Sequence, residues 1–136
     1  MKITLDSNCF KNQTFIDFLI ENRNELETHL SIIVYIETLI WYQFRGLKVG
    51  DFDSEIEDIN AKIDFMDKDV SIKISEMVVL KNKSFPFKNH ARDYFIGVIA
   101  AHNDTILITY NTRHFDWLPK QVLTPEEFVR SFLDFE

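Results

Sequence analysis

The chain of 136 residues contains one cysteine, three glycines and three prolines, and its 15 Lys and Arg are outnumbered by 22 Asp and Glu. A lone cysteine, Cys9, excludes an internal disulfide and any cysteine-built zinc site; beside Phe10 it reads as a small buried apolar residue. Scarce glycine and proline accompany a lack of internal repeats, low-complexity tracts and domain linkers, and Gly46 to Asp51 is the one glycine-containing loop. No apolar run approaches the roughly 20 residues that a membrane helix needs. The longest candidate, Ile32 to Tyr42, is interrupted by Glu37. The opening MKITLDSN meets an acid at position 6, too early for a signal-peptide apolar region, so a cytoplasmic protein is expected. A formal charge of -7 is unlike that of a protein that holds nucleic acid by broad electrostatic attraction. Nucleic acid is not thereby excluded, because carboxylates gathered around divalent cations are neutralised in use. The acid-rich stretch Asp51 to Asp69 reads instead as a solvated face without a catalytic role.

What the chain does have is apolar mass: 46% hydrophobic residues, thirteen of them Phe. That argues against disorder, and the length predicts one domain, residues 1–136, burying roughly 70% of its unfolded surface. The stretch Ala91 to Leu118 dominates the pattern. Tyr94 to Ala101 is apolar throughout, as in a helix covered on most sides, and Thr105 to Thr109 is a short β-branched run typical of a buried parallel strand. The carboxyl end of such a strand is where sites form, which makes Tyr110 to His114 a candidate rim.

Elsewhere strands and helices alternate. Lys2 to Leu5 reads as a strand closed by the turn formers Asp6-Ser7-Asn8, and Phe15, Phe18 and Leu19 mark a helix from about Asn12 to Glu25. Leu30 to Ile33 reads as a second strand, followed by a helix through Ile36, Leu39, Ile40 and Phe44 that Gly46 ends. A short surface helix at Asp53 to Asn60, a weak strand at Lys62 to Met66 and a helix from Asp69 or Ser71 towards Lys83 follow. Ser84 to Phe87 is a connector because of Pro86, with Asn89 as the expected cap of the central helix. Gln121 to Leu123 is a last strand, and Thr124-Pro125-Glu126-Glu127 opens a helix with a capping box and an apolar stripe of Phe128, Val129, Phe132 and Leu133. The expectation is a three-layer α/β fold with a mostly parallel sheet of four to five strands flanked by helices.

On that frame three acids take equivalent places: Asp6 after the first strand, Glu37 early in the helix after the second, and Asp93 at the start of the central helix. Singly each could be an acid favouring a helix dipole, worth at most about 1 kcal/mol. Parallel strands with their crossovers bring such positions to one edge. Two carboxylates about 4 Å apart repel by roughly 4 kcal/mol at an effective dielectric of 20, so a cluster of three demands a cation or raised pKa values. Oxygen ligands without His or Cys suit Mg²⁺ or Mn²⁺.

Asp6-Ser7-Asn8 after an opening strand, Glu37, Asp93-x-x-Ile96-Gly97-x-x-Ala100-Ala101 and the run from Ile106 to Phe115 together resemble the PIN-domain nucleases. The compact length and the Thr109-x-Asn111-x-x-x-Phe115 ending are most similar to the VapC-type toxins of toxin–antitoxin pairs. The resemblance implies a single PIN-like domain and a metal-dependent ribonuclease in which Asp6, Glu37 and Asp93 hold Mg²⁺ or Mn²⁺ and a metal-activated water attacks the RNA phosphodiester. Ser7, Thr109 and Asn111 would support the ligands or the phosphate, and Arg113 and His114 could contact RNA, with His90, Arg92, Lys88 and Arg45 weaker candidates for the same role. Asn111 stands where many members carry Asp, which favours one tightly bound ion. A cognate antitoxin would be expected to mask the site, and Trp41, Tyr42 and Phe44 could form an antitoxin or homodimer surface. A non-catalytic PIN-like module that binds RNA or a protein partner is the alternative. A phosphatase or receiver domain is not, since Asp-x-Asp is absent after the first strand and no lysine follows the later strand in a suitable place.

Overall fold

The computed structural model describes residues 1–134 as a five-stranded parallel sheet with helices on both faces. The strands are β1 (Lys2–Leu5), β2 (Glu27–Ser31), β3 (Ala61–Asp64), β4 (Ile106–Ile108) and β5 (Val122–Leu123), in the spatial order β3-β2-β1-β4-β5. The helices are α1 (Gln13–Glu21), α2 (Ile32–Phe44), α3 (Val49–Asp58), α4 (Lys68–Lys81), α5 (Phe87–His102) and α6 (Pro125–Asp134). The path steps from β1 to β2 to β3 in one direction and then crosses back to β4. Right-handed crossovers therefore put α1 to α3 on one face of the sheet and α4 with α5 on the other. The strand order reverses between β1 and β4, so their carboxyl ends open a crevice where an α/β sheet builds its sites.

Two apolar clusters hold the layers. The larger gathers Ile3, Leu5, Phe15, Ile16, Leu19, Leu30, Phe52, Leu107, Phe128 and Phe132, with Phe18 set edge-on against Phe128 and Phe132 to join α1 to α6. The smaller joins α4 to α5 through Val70, Ile74, Tyr94, Val98 and Ile99. Cys9 is buried, as its neighbours suggested. The capping box of α6 forms as predicted: Glu127 donates its N–H to Thr124 Oγ1, and Thr124 donates its N–H to Glu127 Oε1. No helix among the described residues is long and apolar enough to cross a membrane.

Several boundaries differ from the sequence reading, each for a local reason. The second strand lies at Glu27–Ser31 rather than Leu30 to Ile33, because Ser31 Oγ accepts the Val34 N–H and turns the chain into helix at Ile32. The first helix ends at Glu21, where the Asn22 side chain donates to the Phe18 carbonyl. The central helix starts at Phe87, whose N–H is taken by Asn82 Oδ1 rather than by a cap at Asn89, and it kinks at His90 (φ -132, ψ 22). The segment read as a solvated acidic face is amphipathic: Phe52 and Ile56 of α3 are buried, and Asp64 at the end of β3 binds His29. Of the aromatic trio on α2, Tyr42 is buried, Trp41 lies beneath Lys11 and Arg45, and Phe44 stands out in solvent beside the half-exposed Ile36 and Ile40.

Candidate functional site

The crevice between β1 and β4 begins at Asp6, whose own N–H donates to the Ile108 carbonyl at 2.9 Å and so locks the two strand ends together. Asp6 is fully buried. It caps the 3-10 turn Ser7–Lys11: Oδ1 accepts the Ser7 N–H at 2.7 Å. Its other oxygen accepts from the Thr109 hydroxyl at 2.7 Å, and Thr109, also buried, in turn accepts from the Asn111 N–H at 3.0 Å and the Asn8 amide at 3.3 Å. Two strand ends thus fix one carboxylate from both sides.

Glu37 comes from the second turn of α2 and Asp93 from the turn of α5 that restarts after the kink at His90. What joins the three acids is Arg92. Its Nε and Nη2 take both oxygens of Glu37, at 2.5 and 2.9 Å. Its Nη1 donates to Asp93 Oδ1 at 2.9 Å, and Nη2 also reaches Asp6 Oδ1 at 2.5 Å and Ser7 Oγ at 3.2 Å. Burial works against the guanidinium's charge, but the bond to Glu37 and the fields of Asp6 and Glu37 outweigh it and hold the arginine pKa above its ordinary value. The second oxygen of Asp93 faces two imidazoles, His114 Nδ1 at 3.4 Å and His90 Nδ1 at 3.8 Å. His90 is held in place by stacking on Phe85.

Seven of the eight residues expected at the site lie around this centre: Asp6, Ser7, Glu37, Asp93, Thr109, Asn111 and His114. Asn111 enters through its backbone, its side chain being exposed at the crevice mouth, and Arg113 is exposed on the same turn without an ion pair among the described residues. Arg92, expected to contact RNA, instead bonds all three acids. The sequence held a signal for this in an arginine directly before Asp93, but successive helix residues project in different directions, so adjacency argues against a shared partner. Only a long side chain wrapping across the turn brings it to all three acids.

The donor chemistry suits a hard cation: three carboxylates and the Ser7 hydroxyl face a position that already attracts positive charge, with the Thr109 hydroxyl holding Asp6 from behind. As placed, the acids are spread around the width of a guanidinium, and among the described residues no three Asp, Glu, His or Cys side chains are grouped as metal ligands.

No protein-family model and no curated protein sequence matches this chain. Solved structures do. A chain of the VapBC2 complex from Rickettsia felis, bound to a DNA fragment from its promoter, is 16% identical over 90% of this chain and 97% of its own, with a TM-score of 0.63. One in FitAB bound to the IR36 DNA fragment is 19% identical over 90% of this chain and 94% of its own, with a TM-score of 0.67. One in FitAcB from Neisseria gonorrhoeae is 20% identical over 91% of this chain and 98% of its own, with a TM-score of 0.63. The chain has a PIN-like fold. In this PIN-like arrangement the two strand ends that reverse the sheet order supply the fixed acid, and α2 and α5 supply the other two from their second turns.

Proposed function

We propose that the protein is a metal-dependent endoribonuclease, the toxin of a type II toxin–antitoxin pair. The observation that carries this reading is the convergence of Asp6, Glu37 and Asp93, separated in sequence, on one cation position at the crevice of a PIN-like fold. Asp6, Glu37 and Asp93 would hold Mg²⁺ or Mn²⁺, which supplies a water of lowered pKa and Lewis-acid stabilisation of phosphate charge. The rest belongs to the chain. Thr109, itself fixed by the Asn8 amide and the Asn111 N–H, keeps Asp6 in a single orientation. The Ser7 hydroxyl faces the same centre, and Arg113 and His114 on the exposed turn after β4 would contact an RNA phosphate. An antitoxin partner is supported by the source of the similar structures, which are toxin–antitoxin complexes, and by the exposed apolar line Ile36, Ile40 and Phe44 on α2.

The alternative, a non-catalytic module that binds RNA or protein, is favoured by Arg92 satisfying the acids and by the amide at Asn111. Incubation of RNA with the protein and Mn²⁺ separates the two, using Asp6→Asn and Asp93→Asn as controls. Mn²⁺-dependent cleavage that both substitutions abolish supports the nuclease. RNA left intact, with no Mn²⁺-dependent rise in the melting midpoint, overturns it.

A further inference from the structure

The metal reading leaves one residue without a role, and it is the residue at the centre. We propose that Arg92 is a built-in counter-ion that competes with the divalent ion for Asp6, Glu37 and Asp93, so that the site loads only when the guanidinium is withdrawn. The inference rests on the nuclease reading above and concerns how that site is regulated.

Three observations carry it. The contest is for the same atoms: Arg92 bonds Asp6 Oδ1, Asp93 Oδ1 and both oxygens of Glu37, which are the oxygens a shared cation would need. The grip is strong, because a guanidinium takes both oxygens of Glu37 with two parallel N–H groups and does not lose its charge in the physiological range. The way out is open. The Arg92 side chain is 34% exposed and Glu37 33%, whereas Asp6 is sealed at 0% and Asp93 at 9%, so the guanidinium is the outer layer over two inner acids. A flexible stem anchored in α5 lets the head swing outward while Asp93, the next residue, stays in place.

A divalent ion has twice the charge of the guanidinium and no stem to order, so it can take the inner acids once Arg92 lets go. A phosphodiester offers the freed guanidinium the same two-oxygen geometry that Glu37 gave it. Loading of the ion and arrival of the anionic substrate would then favour one another.

The test measures Mn²⁺ binding by calorimetry and by melting, without substrate, for the wild type, Arg92→Gln, Arg92→Lys and Arg92→Gln combined with Asp93→Asn. Arg92→Gln is expected to melt lower than wild type without metal, to bind Mn²⁺ at least about tenfold tighter, the equivalent of one charge-assisted hydrogen bond removed from the competition, and to recover its midpoint when Mn²⁺ is added. Arg92→Lys keeps the charge but loses the two-pronged grip, and is expected to stay folded and bind Mn²⁺ more tightly than wild type by a smaller factor; it decides the matter if Arg92→Gln does not fold. Adding Asp93→Asn should remove the gain. Mn²⁺ affinity that Asp93→Asn abolishes but that neither Arg92 variant tightens would overturn the counter-ion role while leaving the metal site standing. Absence of Mn²⁺ binding in the wild type and in both single variants would overturn the counter-ion role together with the metal reading.

Discussion

Two clusters in this molecule place carboxylates around a single nitrogen-bearing side chain, and they differ in what that side chain is. At the carboxyl ends of β1 and β4, Asp6, Glu37 and Asp93 surround Arg92. Between β2 and β3, His29 lies with Nδ1 at 2.9 Å from Asp64 Oδ2 and Nε2 at 2.9 Å from Glu27 Oε2, and the Asn103 amide also donates to Asp64. The imidazole offers one nitrogen to each carboxylate, whereas the guanidinium brings up to five N–H donors on one permanently charged plane. The His29 cluster ties neighbouring strands in register, Glu27 and His29 on β2 with Asp64 on β3. The Arg92 cluster stands where the strand order reverses and draws its acids from three separate elements. The first is a tie within the sheet that acid can loosen through Glu27, and the second is a permanently charged centre.

The comparison breaks most sharply at Arg92. In Arg92→Met without metal, Asp6 and Asp93 lose their counter-ion inside the fold, and stability should fall by about 3 kcal/mol, the low end of the range for opening a buried ion pair because Arg92 is partly exposed. Urea denaturation at neutral pH checks this, and an unchanged midpoint would mean that water already screens the acids. Next is Thr109→Val, which keeps the shape and removes a hydrogen bond to a buried carboxylate. A loss of about 2 kcal/mol is expected in the same assay. Gly97→Ala asks how firmly the rim is held. A Cβ there would stand 2.8 Å from the Trp117 ring, which is packed against Tyr94 and donates to the His114 carbonyl. Crowding is expected to exceed the gain in helix propensity and cost about 1 kcal/mol, with the His114 NMR signals shifted; a more stable variant would show that the ring moves freely.

The smallest effect is the pH response of the other cluster. The hydrogen bond from His29, helped by Lys62 and Lys2, holds the Glu27 carboxyl below its ordinary value of 4.5. A folded-state pKa below the unfolded one means that Glu27 contributes stability above the unfolded value and loses it as pH falls through the folded one. Denaturation midpoints followed from about pH 6 to about pH 3 should therefore decline less steeply in His29→Leu than in the wild type. Equal slopes would place the acid sensitivity elsewhere.

Much of this was legible in the chain itself. Alternation of β-branched runs with apolar helices at three-and-four spacing gave the parallel α/β frame, and Thr124 to Glu127 gave the start of α6 to the residue. Asp6 and Thr109 could be placed at strand ends because a strand's end is a local property of turn formers and of β-branched runs. Boundaries failed where a side chain from the neighbouring segment took a backbone group, as Ser31 did at α2 and Asn82 at α5.

The sequence by itself determined the kinds of element, the order in which they come and the chemical character of the three acids, since each follows from residues within a few positions of one another. Only the tertiary structure decided what those acids face. Asp6 and Arg92 stand 86 positions apart and Glu37 and Arg92 55 apart. A periodic pattern says which side of a helix is apolar, but the reach of one long charged side chain across its own turn depends on where the opposite strand ends lie. That position is fixed by packing, so the cation at the centre of the site became visible only in the folded molecule.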